Sequence, residues 1–420
     1  FVETYIAPQR TRSQKYFDGK TDLTHEEGRS KIVSTKVRDT IRAVKPSLMR
    51  VFMSSSKPVE FVPIGSDDVQ AAEQATNYMH SEFNRLDGYK VLNDAFQDAL
   101  VKKQGIVKTY FKDYKKSEVF TYTDLTQEEY DFIVNEDGVE VLESEMVMSA
   151  TIDQMGMQAE VPYYSLKVSH TSTKGEQCLE CIPPENFLIS EDARSLEDAY
   201  CVAQTSDMRV ADVVEMGVAT FDEAVALDAF EGGTGYAEEA IFARQGYYAD
   251  DSEDTSQDPS MKMVGITEAY MRVDVYNTGE PLLHKFIMGG TSFELLDYMI
   301  CEQIPYAKFE VEPVPHSFYG HSLAELLEVD QDSATSVLRG ILDNVAMVNN
   351  PRLGIVEGSV NIDDVLNGEI GSIVRMRQAG SIQDLTVPFV AGQTLTALAY
   401  LDQLTEAKSG VTSTSTGLNS

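Results

Sequence analysis

The 420 residues carry 34 Lys and Arg against 68 Asp and Glu, a formal charge of −34, with 42% hydrophobic and 24% charged residues. That length allows two or three modules with cores of their own, and the composition is that of a folded chain rather than a disordered one. So acidic a balance argues against a protein that grips duplex DNA by neutralising phosphates; it does not exclude one past which DNA slides without sticking, though from charge alone the simpler reading is acid that keeps the surface soluble.

Four Cys make no disulfide framework, which fits a reducing compartment. Cys178 and Cys181, in CLEC, form a CxxC, yet zinc needs a second ligand pair, and Cys201 and Cys301 stand alone with no nearby His. On a strand, positions three apart point to opposite faces, so both are read as small, buried side chains. No apolar run of about 18 residues occurs, so no membrane span is expected, nor is there a signal peptide. The chain opens on Phe1 and closes on TSTSTGLNS, as a fragment of a longer polypeptide would.

In chain order, GRSKIVSTKVRDTIRAVKP reads as a helix from Gly28, with Ile32, Val33, Val37, Ile41 and Val44 at helical spacing until Pro46 stops it. A second helix, SDDVQAAEQATNYMHSEFNRL, begins with Asp67 and Asp68 and carries Val69, Ala72, Ala75, Met79 and Phe83 on one stripe. A third has Leu92, Ala95, Phe96, Ala99 and Leu100 as its stripe and should end at Gly105. Beyond it the period drops to two in GIVKTYF, VFTYT and YYSLKVSHTS, then CLECIPPENFLIS. Within the acidic segment that follows VFTYT, Thr126 and Glu129 are spaced as a capping box for the short helix TQEEYDFIV. Helices followed by strands without regular alternation predict an α+β fold.

DARSLEDAYCVAQTSDMRVADVVEMG predicts a strand and a short helix closed at Gly217, whereas FEGGTG and YYADDSEDTSQDPS read as exposed excursions. From Ile266 a meander runs through ITEAYMRVDVYNTGEPLLHKFIMGGTSFELLDYMI into YAKFEVEPV, punctuated at NTGE and at Gly289 and Gly290.

A long helix follows. Ser322 and Glu325 are spaced as a capping box, and Leu323, Leu326, Leu327, Ala334, Val337, Leu338, Ile341, Leu342, Val345 and Val348 keep to one broad face until Pro351. The other face carries Glu325, Glu328, Asp330, Asp332 and Asp343 against one cation, Arg339, and periodicity alone makes it a solvated face. Gly340 weakens the helix by ~1 kcal/mol relative to alanine. After it come a strand at Leu353 to Val356, a short helix at Ile362 to Leu366, a strand at Ser372 to Arg377, and a last helix with Leu395, Leu398, Leu401 and Leu404 on its stripe. The residues between the two helices, roughly 40 of them, are too many for a plain connection and enough for a small folded block.

This order of parts resembles the portal proteins of short-tailed bacteriophages. The residues that carry it are PVPHSFYGHSLAELLEVDQDSATSVLRGILDN, NNPRLGIVEG and the second helix running into SGVTSTSTGLNS, and the likeness extends back to GRSKIVSTKVRDTIRAVKPSLMRVF. It implies a portal fold: an α/β wing over residues 1–315, a first stem helix over 316–350, a small α/β clip over 351–390, a second stem helix over 391–408 and the start of a tunnel loop over 409–420, with the remaining wing and crown absent. It further implies a homo-oligomer of twelve subunits at one capsid vertex of the virion, made in the host cytoplasm, through which double-stranded DNA passes. The implied partners are the packaging motor (terminase), the major capsid protein and tail adaptor proteins.

On that reading Leu327, Val337, Leu338, Ile341, Leu342 and Val345 pack the stem, Glu328 and Asp332 face the tunnel, and Arg339 is a further tunnel-side residue. Arg375 and Arg377 are contacts of the clip; ion pairing between subunits is the simpler role for all three arginines in so acidic a chain. No cofactor is expected, since the chain has no GxxxxGK[ST], GxSxG or HExxH, and His316 and His321, flanking SFYG, read as structural. Two rivals remain: another ring component of the phage head–tail junction, and a soluble enzyme with a carboxylate pair hidden among the 68 acids.

Overall fold

Helical spacing before Gln104 and alternating β-branched residues after it become, in the computed structural model of the chain, a mixed α+β fold. The structure describes residues 1–53, 59–65, 68–136, 138–152, 158–230, 258–277, 279–367, 369 and 371–411. Apart from Phe230 and residues 258–260, the excursions expected at FEGGTG and YYADDSEDTSQDPS lie outside the described residues, as does most of the expected tunnel-loop start.

Four helices open the chain: α1 (Ala7–Phe17), α2 (Lys36–Phe52), α3 (Val69–Arg85) and α4 (Gly88–Lys102). Helix α1 has no apolar stripe to betray it; Arg10, Ser13 and Tyr16 are its buried residues. Helix α2 corrects the sequence reading at both ends, for it starts at Lys36 rather than Gly28 and runs through Pro46 to Phe52. An interior proline costs ~3 kcal/mol, but Val37, Ile41 and Val44 before it and Met49 after it are all buried, each contributing ~1.5–3 kcal/mol, so burial outweighs the break. The stripe of α3 is only half covered, and Val69 at its start is 51% exposed.

Helix α4 ends at Lys102, not at Gly105; Lys103, at a φ of +77°, makes the turn. Gly105 is already in strand, and its role is proximity: a Cβ there would lie 2.0 Å from the carbonyl oxygen of Ala95, so only glycine lets the strand rest on the helix.

That strand, β1 (Gln104–Leu125), is one element of 22 residues where two short ones were expected. It pairs antiparallel with β3 (Gln158–Ile182) from Ile106 opposite Ile182 to Leu125 opposite Tyr164. Between them come α5 (Gln127–Val134), with its Thr126–Glu129 capping box formed as expected, and β2 (Val139–Ile152), which lines the outer half of β3.

A second, five-stranded antiparallel sheet has the order β4 (Phe187–Ile189), β5 (Cys201–Arg209), β6 (Met263–Val273), β7 (Leu282–Gly289), β8 (Glu294–Ile300). Helices α6 (Val210–Glu215) and α7 (Phe221–Ala226) follow β5 and cover one end. The meander is thus formed, except that its expected last strand, β9 (Tyr306–Glu310), crosses to pair with Gln104–Lys108 of β1.

Ile106, Ile182, Phe187, Tyr270, Tyr306 and Phe318 form the core that joins the two sheets. Beside it Glu268 accepts from Lys108 Nζ at 2.8 Å and the Tyr270 hydroxyl at 2.5 Å, with Lys285 Nζ at 3.2 Å. Burial alone would raise the Glu268 pKa, but the two lysines and the hydroxyl hold it below the ordinary carboxylate value. Cys178 and Cys181 are half-buried in β3, and no metal-holding group of His, Cys, Asp and Glu occurs among the described residues. None of the described helices is long and apolar enough to cross a membrane.

Candidate functional site: the long helix and its inserted block

Helix α8 (Leu323–Asn349) has 27 residues, about 40 Å at ~1.5 Å per residue. Ser322 Oγ accepts from Glu325 N at 3.1 Å, so the start is capped as expected. The reciprocal half of the box is not made, because the Glu325 carboxylate turns to Lys103 at 2.6 Å and His321 at 3.2 Å.

The first half of α8 lies in a helical core where Leu323, Ala324 and Leu327 meet Tyr16, Val37, Ile41, Val44 and Leu100. Gln331, 0% exposed, stitches this core: its Oε1 accepts from Val37 N at 3.0 Å and its Nε2 donates to the carbonyls of Tyr16 at 3.1 Å and Lys20 at 3.2 Å. Thr335 Oγ1 accepts from Ser34 N at 3.1 Å.

The acidic face corrects the sequence reading, for it is not simply solvated. Glu328 is 7% exposed, accepting from Ser13 Oγ at 3.1 Å and facing Arg12 Nε at 3.1 Å. Burial raises its pKa, and Arg12 only partly offsets this. Asp332 accepts from the hydroxyls of Tyr16 at 2.7 Å and Thr21 at 2.5 Å, and Asp343 from Ser30 N at 2.8 Å. Arg339 donates to the carbonyls of Ile32 at 3.0 Å and Thr24 at 3.3 Å. Residues 12–34 therefore strap this face of the helix, and Glu328, Asp332 and Arg339, read as tunnel-facing, point into the chain's own N-terminal region. Helical periodicity reports which residues share a face but not what that face meets.

The second half is barer. Val337, Leu338, Ile341 and Val345 are half-buried, Leu342 is 43% exposed, and a side chain at Gly340 would meet no neighbouring element within 4 Å. Its intrachain neighbour is α10 (Ala391–Ser409), which runs antiparallel: Asn344 bonds the Pro388 carbonyl at 3.0 Å and Val390 N at 3.1 Å, while at the other end Lys408 meets Asp330 at 2.8 Å. Lys36 ties α10 to α2 through Asp402 at 2.7 Å. On α10 the stripe residues Leu398, Leu401 and Leu404 are half-buried, and Leu395 is exposed.

Between the helices, β10 (Arg352–Ile355) pairs antiparallel with β11 (Ile382–Leu385), and α9 (Ile362–Leu366) sits where expected. The strand expected at Ser372 to Arg377 is a single bridge, Val360 to Met376. Its residues are drawn elsewhere: Arg375 grips Asp364 with Nε at 2.7 Å and a terminal nitrogen at 2.9 Å, folding the segment onto the start of α9. Both Arg375 and Arg377 are exposed.

What the structure brings together here is a pair of antiparallel long helices with a β-bridged block inserted between them. The chain belongs to a family of bacteriophage portal proteins. That family is the Phage SU10 portal protein family, whose sequence model matches residues 1–420, as the resemblance read from PVPHSFYG onward implied, and SU10 is a short-tailed phage. Membership makes the chain a structural, non-enzymatic phage component of the virion capsid. Comparison with the curated proteins finds no match.

Proposed function

We propose that the chain is one subunit of a dodecameric portal ring at a unique capsid vertex, through whose channel double-stranded DNA is packaged and ejected. Residues 1–315 are its wing, α8 and α10 its stem, the block at 351–390 its clip, and the residues after α10 enter the tunnel loop. The clip docks the packaging motor and then the tail adaptors, and the wing meets the major capsid protein. The observation that carries this reading is the antiparallel pair α8 and α10, with the intervening residues 350–390 folded at its far end, in a member of the portal family.

Charge supports it. With a net −34 per subunit, the ring has no excess of bases with which to hold phosphate, so DNA can pass it without sticking. Because Glu328, Asp332 and Arg339 are engaged within the chain, we assign them to fastening stem to wing, and assign the tunnel wall and the contact with the next stem to the outer, mostly neutral surface bearing Val329, Ser336, Gly340, Gln393 and Tyr400. Within the clip, Arg375 holds the local fold through Asp364, which leaves Arg377 as the better contact for a docked partner.

Electron microscopy of the purified protein, classified for rotational symmetry, tests the reading. Rings of about twelve subunits around an open channel are expected. A monomer or a closed dimer would overturn it, as would turnover of ATP by the isolated protein.

A further inference from the structure

Among the described residues, the outer part of the ribbon built by β1, β2 and β3 is left largely bare, with α5 lying against β2 and β3. Beyond Lys108 no described strand pairs with the outer edge of β1, and β2 forms the opposite edge of its sheet. Apolar side chains stand bare on both faces, because neighbours in sequence point to opposite sides: Val119 and Phe120 on β1, and Met146, Val147 and Met148 on β2, are each at least 41% exposed. A strand with apolar residues on both faces belongs inside a sandwich of partners, and a narrow ribbon is marginal in water without them.

The two sides of the ribbon also differ in charge. On the β1 side Lys112 and Lys116 are exposed, the latter also holding Glu118 at 2.6 Å, and Lys115 lies between them in sequence. On the other side, residues 126–145, which span α5 and the start of β2, contain eight acids and no Lys or Arg. Glu140, Glu143 and Glu145 there are exposed, and Glu143 meets Lys167 of β3 at 3.4 Å. Residues 111–125 of β1 hold three lysines against Asp113, Glu118 and Asp124, so this edge is neutral where the other side is strongly acidic. In a chain with twice as many acids as bases, a lysine-bearing edge finds a complement on another copy of itself.

We propose that this ribbon is the clasp between neighbouring copies, the lysine-bearing β1 edge of one lying against the acidic β2 and α5 side of the next. The contact joins unlike surfaces, so it is head-to-tail and can close into a ring. It covers the bare apolar residues and brings together main-chain edges that could otherwise recruit strange strands. The inference rests on the ring reading above and says which surface builds the ring.

The test uses three variants of the full chain: Lys112→Glu with Lys116→Glu, Glu140→Lys with Glu145→Lys, and all four together. Each pair alone should weaken ring assembly about tenfold, read by sedimentation and microscopy, and the fourfold variant should recover it. Far-ultraviolet circular dichroism of each variant checks that the subunit still folds. In the otherwise unaltered protein, a photo-crosslinker at Phe120 should label residues 126–148 of a second copy. Unaltered assembly in both pair variants, or a crosslink that goes to capsid protein instead, would overturn the clasp while leaving the ring intact. Absence of rings from the unaltered protein would instead strike the ring reading itself, and the clasp with it.

Discussion

The two halves of helix α8 are continuous in backbone and alike in apolar spacing, yet they live in different environments. Leu327 and Ala334 in the first half are 0% exposed, and Gln331 between them binds three backbone groups of the N-terminal region. In the second half Leu342 is 43% and Val348 36% exposed, although Thr24 and Ile32 bind Arg339, Ser30 binds Asp343, and α10 is held through Asn344. The first half is core of the single chain, and the second half is left partly bare by it, where the proposed ring would place a neighbour. A helix can thus be divided between buried and exposed halves without any change in its sequence pattern, because burial is decided by what surrounds each turn.

The contrast can be broken most forcefully at Leu327. Leu327→Ala should cost the unassembled subunit ~2–5 kcal/mol, read as a lowered denaturant midpoint, since it empties a fully buried site. A loss under about 1 kcal/mol would mean that the first half is not core.

Ile341→Asp makes the opposite test. The half-buried side chain should tolerate the change in the folded subunit, while a charge in the stem contact prevents rings from forming. Size-exclusion profiles with normal rings would show that this face is not in the contact.

Gly340→Ala is milder. With nothing near the new methyl group, the helix gains ~1 kcal/mol in the unassembled chain. Thermal melts showing a less stable subunit would contradict an open position at Gly340.

The smallest effect concerns pH. Glu328 has a native pKa raised above its ordinary 4.5, so the folded chain binds that proton more tightly than the unfolded one. Stability from this group therefore rises as pH falls through the native value towards 4.5, and it is missing from Glu328→Gln. Denaturant midpoints of the two proteins should draw together or cross in favour of the unaltered chain between pH 7 and pH 5. A gap independent of pH would remove the burial argument.

Comparison of these regions also shows where sequence reading succeeds. Helix α9 and the capping box at Thr126 were legible because their signals are local: a turn, a cap, a few residues of period. The failures have equally definite causes. Pro46 is passed because tertiary burial outweighs a local penalty, and α1 is invisible because it buries Arg10, Ser13 and Tyr16 rather than an apolar stripe. The strand expected at Ser372 to Arg377 shrinks to the single bridge from Val360 to Met376, and the ion pair of Arg375 with Asp364 beside it is one that no pattern of alternation reports.

For the candidate site the division is similar. Sequence alone determined the length and cap of α8, the folded block inserted before α10 and the acidity of the whole chain, because these follow from period, turn chemistry and composition. Tertiary structure decided which way the acids look. Glu328, Asp332 and Asp343 turn inward because residues far back in the chain, Arg12, Ser13, Tyr16, Thr21 and Ser30, arrive to bind them. A hydrogen bond across 300 residues leaves no trace in either segment read by itself, since a carboxylate that is buried and paired is spelled the same as one that is solvated.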